Sequence, residues 1–247
     1  MNSSALQAVL FDMDGTLVDN MTFHIAAWGA FCQRHNLLFS LENYYQNLNG
    51  RNSRDTLELL FGRHLDDGEV HRLTEEKEEL YRQSYRSHLT PIAGLVAFLQ
   101  DLKAQGVALA VATSAPLSNV NFTLQGAGID SFFSVVVYGG MVQRGKPDPE
   151  IYRTTADKLG VKPADCVVFE DALLGIESAT RAGMTVVALT TSHPAAELVG
   201  LTALQLPDFE DMNFEKLKQL HSKKTVWPSV SGCSDEKKEH GQTLLRH

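Results

Sequence analysis

The chain reads as an α/β protein, a doubly wound parallel-sheet (Rossmann-like) core with an inserted helical cap domain. Three observations predict this. Short apolar runs without polar alternation recur along the chain, as strands buried on both faces of a parallel sheet require. Helical stretches separate these runs, and strand, helix, strand in succession with right-handed crossovers builds a doubly wound sheet. One long stretch near the start contains no convincing strand.

The strand candidates are Ala8-Val9-Leu10-Phe11, Val107 to Ala112, Val135-Val136-Val137, Cys166-Val167-Val168-Phe169 and Thr185 to Leu189. Ile92, Leu95, Val96, Leu99 and Leu102 repeat at helical spacing before Gly106, and Ile151, Thr155 and Leu159 do so before Gly160. Ile176 and Ala179 line a third helix, which Gly183 stops, since glycine favours the residue just past a helix end. In the strand-free stretch from about Val18 to His88, Phe23, Ala26, Ala27, Ala30 and Phe31 share one helical face. The expected division is therefore a discontinuous core of residues 1–18 and 89–221 around a helical cap of residues 19–88. The run Glu75-Glu76-Lys77-Glu78-Glu79 reads as a solvated helix face, the usual fate of such charge runs. Residues 222–247 are polar and aperiodic and are expected to form a disordered tail. The scattered His221, His240 and His247 do not make a metal cluster.

Composition narrows the function. A net charge of −8 draws neither nucleic acid nor an anionic membrane surface. No apolar stretch approaches membrane-spanning length, and the polar residues Met1 to Gln7 lead straight into a strand, unlike a signal peptide. Cys32, Cys166 and Cys233 are widely spaced without a CxxC pair, which suits a reducing compartment better than a disulfide scaffold. The expected location is the cytoplasm, and no protein partner can be inferred.

The first strand delivers its chain directly to Asp12-Met13-Asp14-Gly15-Thr16. Residues two apart in extended backbone point the same way, so both carboxylates can face one site. One can attack phosphorus and form an aspartyl phosphate while the other handles the proton. An ordinary acidic turn would use the same residue types. Glu170-Asp171 also ends an apolar strand; with Asp12 it supplies the hard oxygen donors that Mg²⁺ prefers, although alone it would serve as a helix N-cap. Thr113 and Ser114 end another strand before Pro116, where a hydroxyl and backbone N–H groups can hold phosphate oxygens. Lys146, between Gly145 and Pro147, offers a fixed cation beside a transferring phosphoryl group. The segment Gly140 to Lys146 also fits most of a nucleotide-binding P-loop, but Pro147 stands where that motif needs Ser or Thr.

In this order, Asp12-Met13-Asp14-Gly15-Thr16, Thr113, Lys146-Pro147 and Glu170-Asp171 resemble the haloacid dehalogenase-like superfamily over nearly all of residues 6–220. With a helical insertion straight after the first motif, the chain is similar to the β-phosphoglucomutase-like subgroup, whose cap closes over the site. The resemblance implies that Asp12 becomes phosphorylated and that Asp14 protonates the leaving group, then activates water or another acceptor. It implies phosphate binding by Thr113 and Lys146, and Mg²⁺ held by Asp12, the carbonyl of Asp14, Glu170 and Asp171. His24 and Trp28 match a cap segment of the subgroup; from the residues alone, His24 is a helix-surface histidine. The implied partner is a small phosphorylated metabolite.

The family contains phosphatases and mutases, and a mutase must grip a second phosphate. Where β-phosphoglucomutases place lysines for this, the chain reads Asn49-Gly50-Arg51-Asn52-Ser53-Arg54 and Ala115-Pro116. The expected activity is therefore Mg²⁺-dependent hydrolysis of a small phosphomonoester such as a sugar phosphate, with Arg51 or Arg54 as a candidate substrate contact. The alternatives are a sugar-phosphate isomerase using the same aspartyl phosphate, an inorganic pyrophosphatase, and a binding protein that has lost activity.

Overall fold

The computed structural model describes residues 6–223. The expected tail beyond them, with Cys233, His240 and His247, lies outside the described residues. Six strands form one parallel sheet: β1 Ala8–Phe11, β2 Ala108–Thr113, β3 Val135–Tyr138, β4 Cys166–Glu170, β5 Thr185–Leu189 and β6 Leu204–Leu206. Their order is β3-β2-β1-β4-β5-β6. The chain winds outward from β1 in one direction and from β4 in the other, so β1 and β4 flank the switch point where ligands bind beyond the carboxyl ends of the strands. Phe11 pairs in register with Val111 on one side and Phe169 on the other.

Burial on both faces explains why the strands read as continuous apolar runs. Val9 and Phe11 pack with Phe98, Phe169 and Phe209 on one face, Phe11 stacking on Phe169 at 5.2 Å between ring centroids. Ala8 and Leu10 pack with Ile151, Tyr152 and Ile176 on the other. The expected strands and core helices are present. The sequence reading lacked β6, a three-residue edge strand only half buried, too short to show a pattern.

The helices are α1 Met21–Arg34, α2 Leu41–Asn43, α3 Ser53–Phe61, α4 Asp67–Tyr85, α5 Leu95–Ala104, α6 Leu117–Gly126, α7 Glu150–Leu159, α8 Leu173–Ala182, α9 Ala195–Leu198 and α10 Phe214–Ser222. Between β1 and α5, helices α1 to α4 pack around Trp28, Phe31, Tyr44, Leu57 and Leu73. Tyr81 and Tyr85 join Val18 beside Phe122 of α6. Among the described residues no helix is long and apolar enough to cross a membrane.

Three local expectations are corrected. The inward face of α1 is Met21, His24, Ala27, Trp28, Phe31 and Cys32, with Ala26 exposed; His24 therefore sits mid-stripe, buried, and is no surface histidine. In α4 only Glu79 of the acidic run is exposed, while Lys77 and Glu78 are 2% and 5% exposed. They fall on the helical stripe Thr74, Lys77, Glu78, Tyr81, Tyr85, so the period of the tyrosines, rather than the local charge density, decides their fate. His221 is buried in the last turn of α10.

Candidate active site

Asp12 leaves β1 with its backbone N–H donating to the Phe169 carbonyl at 3.0 Å, which sets it opposite the end of β4. Lys146 Nζ, 1% exposed, donates to Asp12 Oδ1 at 2.7 Å and to Glu170 Oε1 at 2.5 Å. No helix opens directly after Lys146, so the P-loop alternative has no structural counterpart.

Glu170 is held on both oxygens. Oε1 also accepts from the Tyr152 hydroxyl at 2.9 Å, and Oε2 accepts from the N–H groups of Asp171 and Ala172 at 2.8 and 3.0 Å. The capping use that the pair would serve alone is not observed: α8 has no side-chain cap hydrogen bond, and Glu170 binds the two backbone N–H groups just before the helix. Gly175 makes room for it, since a Cβ there would meet Glu170 Oε1 at 1.7 Å. Asp171 accepts instead from Thr16 Oγ1 at 3.4 Å and from the hydroxyl of Ser192. Gly15, at φ +75°, admits the Asp171 carboxylate where a Cβ would stand 2.1 Å from Oδ2.

Asp12, Glu170 and Asp171 each offer an oxygen within 4.8 Å of the others, all buried. Burial, then the neighbouring Glu170, pushes Asp12 up to about 8 against the pull of Lys146. Burial, then Glu170 and Asp12, pushes Asp171 well above the carboxylate range. Three carboxylates face one ammonium, which is the donor set and charge excess that a hard divalent cation fits. Glu170, with two hydrogen bonds on each oxygen, fits a role of holding the set, and Asp12, with one bond from Lys146, and Asp171, with one hydroxyl on each oxygen, fit direct coordination.

Asp14 has the opposite environment. Burial alone would raise its pKa, but the nearby His24 ring, the Asn20 amide and the charge of Lys77 outweigh that and hold it below the ordinary carboxylate value. Asn20 Nδ2 donates to Asp14 Oδ1 at 2.6 Å and to the Tyr81 hydroxyl at 2.7 Å, while Asn20 Oδ1 accepts from the Gly15 N–H at 3.0 Å. His24 Nε2 lies 3.4 Å from Asp14 Oδ1. Lys77 Nζ donates to His24 Nδ1 at 2.8 Å and to Glu78 Oε1 at 3.0 Å, so the proton of the His24 ring belongs on Nε2, facing Asp14. The ring stacks on Tyr81 at 3.9 Å.

Asp12, Asp14, His24, Arg51, Lys77, Glu78, Thr113, Ser114, Lys146 and Asp171 line one pocket between the sheet edge and α1, α3 and α4. Thr113 Oγ1 accepts from the Ala115 N–H at 3.1 Å. Ser114 donates its hydroxyl to the Gly50 carbonyl at 2.9 Å, joining core to insertion instead of facing a phosphate. Arg51 donates to the Asn47 carbonyl. Arg54 turns away to Glu58 and Asp67 and does not line this pocket. Sequence reasoning missed Asn20, Lys77, Glu78, Tyr152 and Ser192. Ser192 was findable, because Thr190-Thr191-Ser192 follows the apolar β5 in the same position beyond a carboxyl end as the other site residues.

The sequence profile of haloacid dehalogenase-like hydrolases matches residues 9–189. The chain belongs to this family. It is 31% identical to a phosphorylated carbohydrates phosphatase of Thermotoga maritima, over 72% of this chain and 82% of that protein. It is 32% identical to the β-phosphoglucomutase of Bacillus subtilis, over 78% of this chain and 88% of that one. A crystal structure of a family IA, variant 3 hydrolase from Entamoeba histolytica superimposes with a TM-score of 0.77 at 28% identity, covering 87% of this chain and 99% of the other. The family and these relatives bear out the expected α/β fold, the family resemblance and the assignment as a phosphoric-ester hydrolase.

Proposed function

We propose that this hydrolase is an Mg²⁺-dependent phosphatase that cleaves a small sugar phosphate through an aspartyl phosphate on Asp12. The observation that supports this most is Asp12 itself, buried at the switch point, bound to a fixed ammonium and adjacent to Asp171 in one acidic cluster. In the first step an Asp12 oxygen attacks phosphorus, the bond from phosphorus to the leaving oxygen breaks, and Asp14 gives that oxygen its proton. In the second, water attacks the same phosphorus as Asp14 takes its proton, the bond to Asp12 breaks, and inorganic phosphate departs.

Asp14 is held as a carboxylate before substrate arrives, which suits the second step directly; the first requires it to take up a proton with the dianionic substrate. Lys146 keeps the Asp12 carboxylate oriented and offsets charge on the phosphoryl oxygens. The Thr113 hydroxyl and the backbone after β2 bind phosphate. When bound by Asp12 and Asp171, Mg²⁺ supplies charge neutralisation at the phosphoryl oxygens. The helical insertion of residues 19–88 acts as the cap that excludes bulk water, with His24 and Lys77 orienting Asp14.

Water is favoured over a sugar hydroxyl as acceptor because Asn49, Ala115 and Pro116 line the pocket where a mutase grips its second phosphate. Asp12→Asn should abolish phosphate release from sugar phosphates, a loss on the order of 10⁴ or more. Wild-type turnover by that variant would remove the mechanism. Isomerised sugar phosphate exceeding free phosphate, after incubation with β-glucose 1-phosphate and a bisphosphate primer, would replace hydrolysis with the isomerase.

A further inference from the structure

We propose that the substrate's leaving group continues past the catalytic pocket into a second cavity between insertion and core, which takes an uncharged, hydroxyl-rich unit, so that the preferred substrate is a phosphorylated disaccharide or similarly extended polyol. This rests on the phosphatase assignment above and names its substrate class.

Size gives the first support. The catalytic pocket holds about 80 Å³, far below the roughly 300–1,000 Å³ of ordinary small-molecule sites. It is small for a substrate with an extended leaving group. Beside it lies a cavity of about 390 Å³, which brings the combined space into that range. The two share Ser53, Ser114, Ala115 and Pro116 in their walls. These side chains are small and uncharged, and the Ser114 hydroxyl is already bonded to the Gly50 carbonyl, so only a thin wall with no free charge separates the two spaces.

Orphaned polar atoms give the second. Thr74 is 8% exposed and lines the second cavity, yet its hydroxyl has no hydrogen-bond partner. A helical threonine ordinarily bonds back to the preceding turn, and a buried hydroxyl left without a partner costs free energy. In the catalytic pocket Asn49, 6% exposed, has an unpartnered Nδ2. Each is provided for by a ligand that carries hydroxyl oxygens along the path from one cavity to the other.

Charge and ring content select the class of ligand. Arg54, on the wall of the second cavity, is engaged by the Leu65 carbonyl at 2.9 Å, by Glu58 at 3.3 Å and by Asp67. Glu75 is engaged by Arg82 at 3.0 Å and Ser118 at 2.9 Å. A second phosphate thus finds no uncommitted guanidinium. Among the described residues the cavity wall carries no Phe, Tyr or Trp, and the imidazole of His71 is its one aromatic ring, so a nucleobase finds a poor stacking platform. Asn52 is tied to Asp55 through both amide atoms; Ser53, Thr74 and Gln143 remain beside His71, and neutral hydroxyls and amides suit sugar hydroxyls.

The test is steady-state phosphate release, with Mg²⁺, from trehalose 6-phosphate, sucrose 6-phosphate and maltose 1-phosphate against glucose 6-phosphate, glucose 1-phosphate, fructose 1,6-bisphosphate and AMP. At least one disaccharide phosphate should exceed both glucose phosphates in kcat/KM by about tenfold or more. Val142→Trp, which fills the second cavity, should bring that ratio down to about one. Equal or lower kcat/KM for all three disaccharide phosphates, or a preference for the bisphosphate or AMP, overturns the proposal while leaving the phosphatase assignment standing. A ratio unchanged in a folded Val142→Trp protein also overturns it. Release from none of these substrates removes the phosphatase assignment and this inference with it.

Discussion

Two buried lysines face the catalytic pocket from opposite sides, and their company differs. Lys146 comes from the loop after β3 and Lys77 from α4. Each touches a glutamate, and each lies near an aromatic ring, Lys146 over Tyr152 at 5.2 Å and Lys77 over Trp28 at 4.8 Å. Lys146, however, stands beside the three-carboxylate cluster, an excess of anion. Lys77 is met by the single carboxylate of Glu78 and otherwise donates to a ring nitrogen of His24. The first environment is built to receive more positive charge; the second is closed, and reaches Asp14 through His24 and through the field of its own charge. A buried ammonium therefore says little about role until its partners are known.

Lys146→Met should sharpen the contrast most, lowering kcat/KM by about 10²–10³. A loss below about tenfold would make Lys146 a structural tie like its counterpart. Because that variant leaves three carboxylates without an ammonium, added Mg²⁺ should raise its Tm more than it raises that of the wild type. Equal shifts would place the cation elsewhere. Lys77→Met should lower kcat on the order of tenfold and leave the Mg²⁺ concentration for half-maximal activity unchanged. A shift in that concentration would show that Lys77 belongs to the anionic cluster after all. Glu78→Gln should act least on rate and mainly on stability, with a loss of about 3 kcal/mol in denaturant unfolding, since it leaves Lys77 buried without its counter-charge and weakens the 2.7 Å bond from Asn119 of α6. A variant as stable as the wild type would show that the pair is not closed.

The contrast also marks what was legible in the sequence. Lys146 lies next to a strand end, and the strands announce themselves as apolar runs because both faces of the sheet are covered. Asp12, Asp14, Thr113, Glu170 and Asp171 stand in the same relation to their strands, and the structure gathers them in one place. Lys77 and Glu78 were unreadable by local composition, because Glu75 to Glu79 looks solvated unless the helix is followed down to Tyr81 and Tyr85. Asn20 gave no signal at all; its value comes from bonding Gly15, Asp14 and Tyr81 at once.

By itself, the sequence determined the sheet, the helical insertion and the carboxylates at the strand ends, since two-sided burial and the extended backbone write themselves directly into residue order. The tertiary structure alone decided which charges are spent and which remain. It commits both oxygens of Glu170, turns Ser114 toward Gly50, buries Lys77 against His24, and leaves the Thr74 hydroxyl and the Asn49 amide nitrogen without partners. The physical reason is that a polar group's energy depends on which groups meet it after water is removed, and those meetings join residues far apart in the chain.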